Sequence, residues 1–218
     1  MTQPLPSTRR FRVRRLAIAG VAVALSIVGW YVVRYHVWDE YLFPRNFKTV
    51  EEGKIYRSGQ ISSHLIRKTL EQHQIKVIVF MSRDDRRIPD VDAECKVSAE
   101  LGIERHNFSL GGDGLGNPAS YADALAVLTA SEKVGKAALV HCNAGTQRTG
   151  GVVALYRTLI QGRTGEEAYI ELTRAGHDPD DNPGLIPFLN QNMKQIAEML
   201  VDRGVIERIP NPLPHIKS

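Results

Sequence analysis

Cys142 and Arg148 stand with five residues between them, flanked by His141 on one side and by Thr149, Gly150 and Gly151 on the other. An apolar run, Ala137-Ala138-Leu139-Val140, leads into the cysteine, and a helical pattern follows the arginine. A loop of that length can curl so that its N–H groups point inward as an anion nest. A helix opening near Thr149 aims the positive end of its dipole at the same point. Arg148 adds a planar fork suited to bidentate contact with an oxyanion. Amides, dipole and guanidinium all favour thiolate over thiol at Cys142. The chemistry open to this spacing is nucleophilic attack on a tetrahedral dianion. Asn143, Ala144, Gly145, Thr146, Gln147 and Arg148 would hold the oxyanion, with Gly145 supplying a positive φ inside the cup.

His141-Cys142, the five intervening residues and Arg148-Thr149-Gly150 resemble the signature loop of the cysteine-dependent protein tyrosine phosphatases, in particular their dual-specificity branch. Tyr56-Arg57-Ser58-Gly59-Gln60, the segment 75–81 and Glu167-Ala168-Tyr169-Ile170-Glu171 are similar to atypical dual-specificity phosphatases of bacteria, fungi and plants. The resemblance covers residues 54–175. It implies hydrolysis of phosphate monoesters through a phosphocysteine, with no cofactor and no metal. In that scheme His141 positions the loop or tunes the thiolate, and Thr149 hydrogen-bonds the thiolate as it departs. The leaving oxygen needs a proton from a carboxylic acid on another loop. Asp113, inside the glycine-rich segment 111–116, resembles the family's general acid in its placement; its competing role is a turn aspartate. Asp84 and Asp85 are the reserves. Asn143, Thr146 and Gln147 are uncharged where inositide-directed relatives tend to carry Lys or Arg, which weighs against a highly anionic substrate. Arg57 is expected to form a structural ion pair.

These residues need a frame. Lys54–Gly59, Ile75–Met81, Ile103–Leu110 and residues 137–141 read as strands, the second nearly continuous in apolar and β-branched character and so central. Helices are expected after Ser62 or Ser63, from Pro89 to about Leu101, after the Asn117-Pro118 start, from Thr149 to Ile160, from the Thr164/Glu167 capping box to Arg174, and over 185–202. Strands alternating with helices predict an α/β fold with a largely parallel central sheet flanked by helices. Cys142, the charged loop 82–87 and the loop 111–116 then all lie at C-terminal strand ends, where such folds bind ligands.

A chain of 218 residues accommodates one such domain with an appendage. The net charge is +4, but Arg9, Arg10, Arg12, Arg14 and Arg15 sit in an acid-free flank, 1–15, and the remainder is close to neutral. The basic balance therefore gives no support for a nucleic-acid partner. Leu16–Val33 carries no charge and is about long enough for a bilayer helix, with Trp30, Tyr31, Tyr35 and Trp38 at its far end. A cleaved secretory signal shares the basic head, but the run is longer than a usual signal core and lacks a clear small-residue cleavage site. The division expected is a basic cytoplasmic flank (1–15), a single transmembrane anchor (16–33), a linker (34–53), the phosphatase-like domain (54–202) and a tail (203–218). The arginines should stay cytoplasmic, which places the domain outside the inner membrane, and in the periplasm if the cell is Gram-negative.

Only two cysteines are present, Cys95 and Cys142. Cys95 shares a helical stripe with Val91 and Ala99, the pattern of a small core residue; a redox partner for Cys142 is the alternative in an oxidising compartment. The partners expected are a phosphoprotein or a small phosphate ester, and the membrane. The activity expected is hydrolysis of phosphotyrosine, extending to phosphoserine or phosphothreonine. Its rivals are the same chemistry on inositol or lipid phosphates, rhodanese-type sulfur chemistry, and a phosphate-binding pseudoenzyme.

Overall fold

The computed structural model describes residues 8–217; residues 1–7, the start of the expected basic flank, and Ser218 lie outside the described residues. Helix α1, Thr8–Val32, contains the stretch Arg15–Val32, with a mean hydropathy of 1.8 and none of it buried, long and apolar enough to cross a membrane. A signal sequence near the N-terminus passes the same test of length and composition. The helix continues with wider turns over Val33–Leu42, and Tyr41 stacks on His64 of the domain at 4.6 Å between ring centroids.

Five strands form one sheet: β1 Lys48–Glu51, β2 Ile55–Ser58, β3 Ile75–Phe80, β4 Glu104–Asn107 and β5 Ala137–His141, in the order β1-β2-β5-β3-β4. Only β1 and β2 run antiparallel; β2, β5, β3 and β4 are mutually parallel. The helices are α2 Ile66–Gln72, α3 Pro89–Glu100, α4 Pro118–Lys133, α5 Gln147–Leu155, α6 Gly165–Arg174 and α7 Leu185–Asp202. The largely parallel α/β architecture is thus present, and β5, which delivers Cys142, is its central strand.

Strand alternation decides which way each site residue faces. Val77, Val79 and Met81 join Ala138, Val140 and Cys142 in the larger core beneath α4, α5 and α7. Ile78 and Leu139 join Ile66, Leu70 and Ile103 on the other face, beside α2. Cys142 and Arg57 therefore turn toward α5, whereas His141 turns toward α3. Helix α5 is buried from Arg148 to Leu155 and continues in wider turns over Tyr156–Ile160. From Gly150 onward it carries no polar side chain, as suits a helix enclosed by sheet and helices.

Three local expectations change. The segment 34–53 is more than a linker, because Lys48–Glu51 pairs with β2 and Phe47 stacks on Tyr56, so the sheet begins before residue 54. The tail 203–218 docks through Ile216, which is fully buried while its backbone N–H and C=O bond the Asn190 side chain, each at 2.9 Å. Helix α2 starts at Ile66 with Leu65 in the cap position and no side-chain cap bond, rather than at a serine cap. The capping box at Thr164 and Glu167 and the Asn117 cap, which accepts from Ala119 N at 3.0 Å, form as expected.

Candidate active site

The loop between β5 and α5 holds its carbonyls outward. Asn143 O accepts from Gln60 N at 3.0 Å, Ala144 O from Asn46 Nδ2 at 2.8 Å, and Gly145 O from Arg57 Nη2 at 2.7 Å. Thr146 O accepts from Gly150 N at 2.8 Å, inside the first turn of α5. With the acceptors engaged on the outside, the N–H groups are left for the concave side, and Gly145 N donates to Cys142 Sγ at 3.3 Å. Gly145 has φ +77°, and a Cβ there would lie 2.5 Å from Gly59 N, so only glycine closes this turn. Cys142 is buried at the floor.

Arg148 is buried and donates from Nη1 to Ser82 Oγ at 2.6 Å, tying the end of the loop to the segment after β3. Thr149 is fully buried, and its Oγ1 has no partner among the described residues. Gly150 and Gly151 allow close approach to two neighbouring helices. A Cβ on Gly150 would meet Leu172 of α6 at 2.4 Å, and one on Gly151 would meet the Tyr121 hydroxyl of α4 at 2.7 Å.

His141 is fully buried, stacks on Phe80 at 4.7 Å between centroids, and places Nε2 3.0 Å from Glu94 Oε2. Glu94, also fully buried, accepts from Arg105 Nε at 2.8 Å and from Gln60 Nε2 at 3.1 Å. Burial alone would raise its pKa, but the His141 and Arg105 charges outweigh that and hold it at about 2. Gln60 thus bonds both the loop and the acid behind it.

Asp113 is exposed, and its Oδ1 accepts from Leu115 N at 3.0 Å. This is the aspartate-turn bond, and it leaves Oδ2 without a partner among the described residues. Its loop is anchored by Tyr121, whose hydroxyl donates to Gly114 O at 2.7 Å. Burial raises the Tyr121 pKa, and the charges of Cys142 and Asp113 raise it further while Arg148 opposes them, so one buried ring lies within electrostatic reach of all three. The reserves are engaged elsewhere. Hydrogen bonds from Arg87 hold the Asp85 carboxyl at about 2, and Asp84 pairs with Arg105 at 3.1 Å. Cys95 is a buried free thiol against Phe80 and Val91, with burial raising its pKa, and Cys142 is likewise free. Among the described residues no group of three or more His, Cys, Asp or Glu side chains is placed to hold a metal ion.

The largely parallel sheet recurs in known proteins. No protein-family model matches the chain. The dual specificity protein phosphatase TpbA of Pseudomonas aeruginosa (strain UCBPP-PA14) is 28% identical over 128 residues, which cover 59% of this chain and 54% of TpbA. The chain therefore matches about half the length of that curated relative. The fold and the signature loop are similar to those of the cysteine-based tyrosine and dual-specificity phosphatases. The crystal structure of P. aeruginosa TpbA has the same fold, with a TM-score of 0.58 at 22% identity over 78% of this chain and 99% of that one. The SIW14 catalytic core of S. cerevisiae gives 0.61 at 18% identity over 80% and 98%. PTPMT1 gives 0.55 at 16% identity over 73% and 98%.

Within that superfamily framework the structure adds residues that motif reading missed. Ser82, Glu94 and Tyr121 each contact a loop or side chain of the site from elsewhere in the chain. Glu94 had a signal, since an acid lies on the buried stripe of α3 with Val91, Cys95 and Ser98. His177 is another. It is buried, Nδ1 contacts Gln147 Oε1, and burial pushes its pKa down. Arg57 differs from expectation, because it bonds the Gly145 carbonyl and forms no ion pair among the described residues.

Proposed function

We propose that this chain is a membrane-anchored phosphomonoesterase that hydrolyses phosphotyrosine in proteins through a phosphocysteine intermediate. What supports the chemistry most is the orientation of the loop, whose outward carbonyls leave the amides around Cys142 Sγ for an oxyanion. Attack by the Cys142 thiolate forms the S–P bond as the ester P–O bond breaks, and the Asp113 carboxyl protonates the leaving oxygen. Water then attacks phosphorus and gives a proton to the Asp113 carboxylate, the P–S bond breaks, and inorganic phosphate leaves. Thr149 Oγ1 donates to the departing thiolate. Arg148 and the loop amides carry the charge that shifts among the equatorial oxygens, while His141 fixes the strand end beneath the thiol.

The substrate assignment draws on the uncharged side chains of Asn143, Thr146 and Gln147 and on the TpbA structure in complex with pTyr. SIW14 is described as a PP-IP phosphatase, which keeps an inositol phosphate as the rival substrate. Leu16–Val33 serves as an uncleaved anchor, and the arginines before it hold the N-terminus in the cytoplasm.

The test is turnover of a chromogenic aryl phosphate by the full-length chain in detergent, reduced and in the presence of chelator. Activity that vanishes in Cys142→Ser supports the reading; an inert reduced protein refutes it. Phosphopeptides assayed beside inositol phosphates decide the substrate class. A reporter fused after Ser218 reads the topology.

A further inference from the structure

A cavity of about 540 Å³ lies on the outer side of the phosphate loop, between β1, β2 and α6. Its lining carries Lys48, Arg57, Arg157, Arg163 and Arg174 against two acids, Glu167 and Glu171. Both acids are already engaged: Glu171 bonds Arg157 at 2.6 and 3.1 Å, and Glu167 closes the capping box with Thr164. Arg157 is fully served by Glu51, Glu171, Gln161 and the Val50 carbonyl. Of the other cations, Arg163 reaches Glu51 at 4.0 Å, and Lys48, Arg57 and Arg174 form no ion pair among the described residues.

Arg57 is 2% exposed, and its Nε and Nη1 have no partner among the described residues. A buried guanidinium that leaves two N–H groups unmet is costly unless something supplies the acceptors. Strand register sets Lys48 opposite Arg57, and among the described residues Lys48 Nζ finds only the Arg174 carbonyl, at 2.8 Å. Burial and the Arg57 charge both push the Lys48 pKa down. Ile170 and Ala175 complete an apolar wall. The volume falls in the range typical of small-molecule sites.

We propose that this cavity is a second oxyanion site, taking a phosphate group on a small molecule or a lipid headgroup, with Arg57 at its base and Lys48, Arg163 and Arg174 at its rim. It is separate from the cup. Arg57 Nη2 reaches the Gly145 carbonyl from outside, so the loop backbone stands between the two anion positions. Occupancy would complete the hydrogen bonding of the guanidinium that braces the loop, which couples the second site to the first through one residue.

The test needs no turnover, so it can fail or succeed independently of the proposed phosphatase activity. Full-length Arg148→Ala in detergent lacks the arginine of the cup, and titration calorimetry of that variant with inorganic pyrophosphate reads the second site. A parallel arm uses phosphatidylcholine vesicles with and without a phosphatidylinositol phosphate. One equivalent of pyrophosphate should bind, and adding Arg163→Gln and Arg174→Gln in the same background should weaken it by about ten-fold or more, as for lost charge-assisted bonds. Thermal unfolding confirms that the variants are folded. Binding of the phosphoinositide vesicles alone, lost in the same variants, supports the site with a lipid headgroup as its source. Absence of binding in both arms, or binding that the Arg163 and Arg174 changes leave intact, overturns the proposal.

Discussion

His141 Nε2 and Glu94 Oε2 lie 3.0 Å apart with both side chains fully buried, and His141 directly precedes Cys142. Burial alone would raise the Glu94 pKa, and the His141 and Arg105 charges bring it from 4.5 to about 2. A folded-state pKa below the unfolded one contributes stability that is present above the unfolded value and disappears as pH falls toward the folded one. That window runs from 4.5 down to about 2. Glu94→Gln removes the negative charge that His141 and Arg105 share, leaving one carbonyl oxygen between them, and should destabilise by about 3 kcal/mol at neutral pH. Thermal unfolding as a function of pH should also show a flatter acid limb in the variant. An unchanged slope between 4.5 and 2 would mean that Glu94 is not the group titrating there.

Asp113→Asn separates the acid from the turn residue. Loss of a general acid costs about 100-fold or more when the leaving group is a poor one. Turnover of an alkyl phosphate should therefore collapse, while an activated aryl phosphate, whose oxygen leaves unaided, should lose much less. Asp85→Asn should change neither rate, because Asp85 is held as a carboxylate by Arg87. Equal slowing of both esters in Asp113→Asn would return Asp113 to the role its bond to Leu115 N already describes.

Tyr121→Phe removes the hydroxyl that holds Gly114 and with it the acid loop. The lost bond should cost about 1 kcal/mol of stability. The informative measurement is the dependence of rate on leaving group, which should shift in the same sense as for Asp113→Asn but by less. A purely structural tyrosine would lower the melting temperature and leave that dependence alone.

The cup was legible because it is local. The strand, the thiol, the positive-φ glycine, the arginine and the helix start occupy consecutive residues, and their types specify the turn without help from distant parts. The alternating strands and helices were legible for the same reason, each carrying its own apolar period. What was hidden is what joins them. Arg57 meets Gly145 from 88 residues away and Ser82 meets Arg148 from 66, and no periodicity encodes such a pairing. Strand β1 escaped notice because Lys48 and Thr49 are exposed on an edge, with Val50 its one buried residue. The tail was masked by its prolines, although Ile216 is fully buried and Val205, Ile206 and Ile209 pack against the core.

Gly145→Ala and Gly53→Ala make the last test, because the two glycines share a positive φ, +77° and +69°, in opposite surroundings. Nothing lies within 4 Å of a Cβ built on Gly53. Its replacement pays only the backbone penalty, about 1 kcal/mol, read as a small drop in melting temperature with turnover intact. At Gly145 the new carbon meets Gly59 N at 2.5 Å and the Ser58 carbonyl carbon at 2.6 Å, and neither backbone can yield without pulling β2 from β5. The loop must open instead, which breaks the Arg57 bond to Gly145 O and turns the amide away from Cys142 Sγ. Aryl phosphate turnover and binding of vanadate, an oxyanion mimic, should fall together by about 100-fold or more, the scale of lost oxyanion donors. Retained vanadate binding in Gly145→Ala would show that the cup tolerates the opening and that its amides are not what hold the anion.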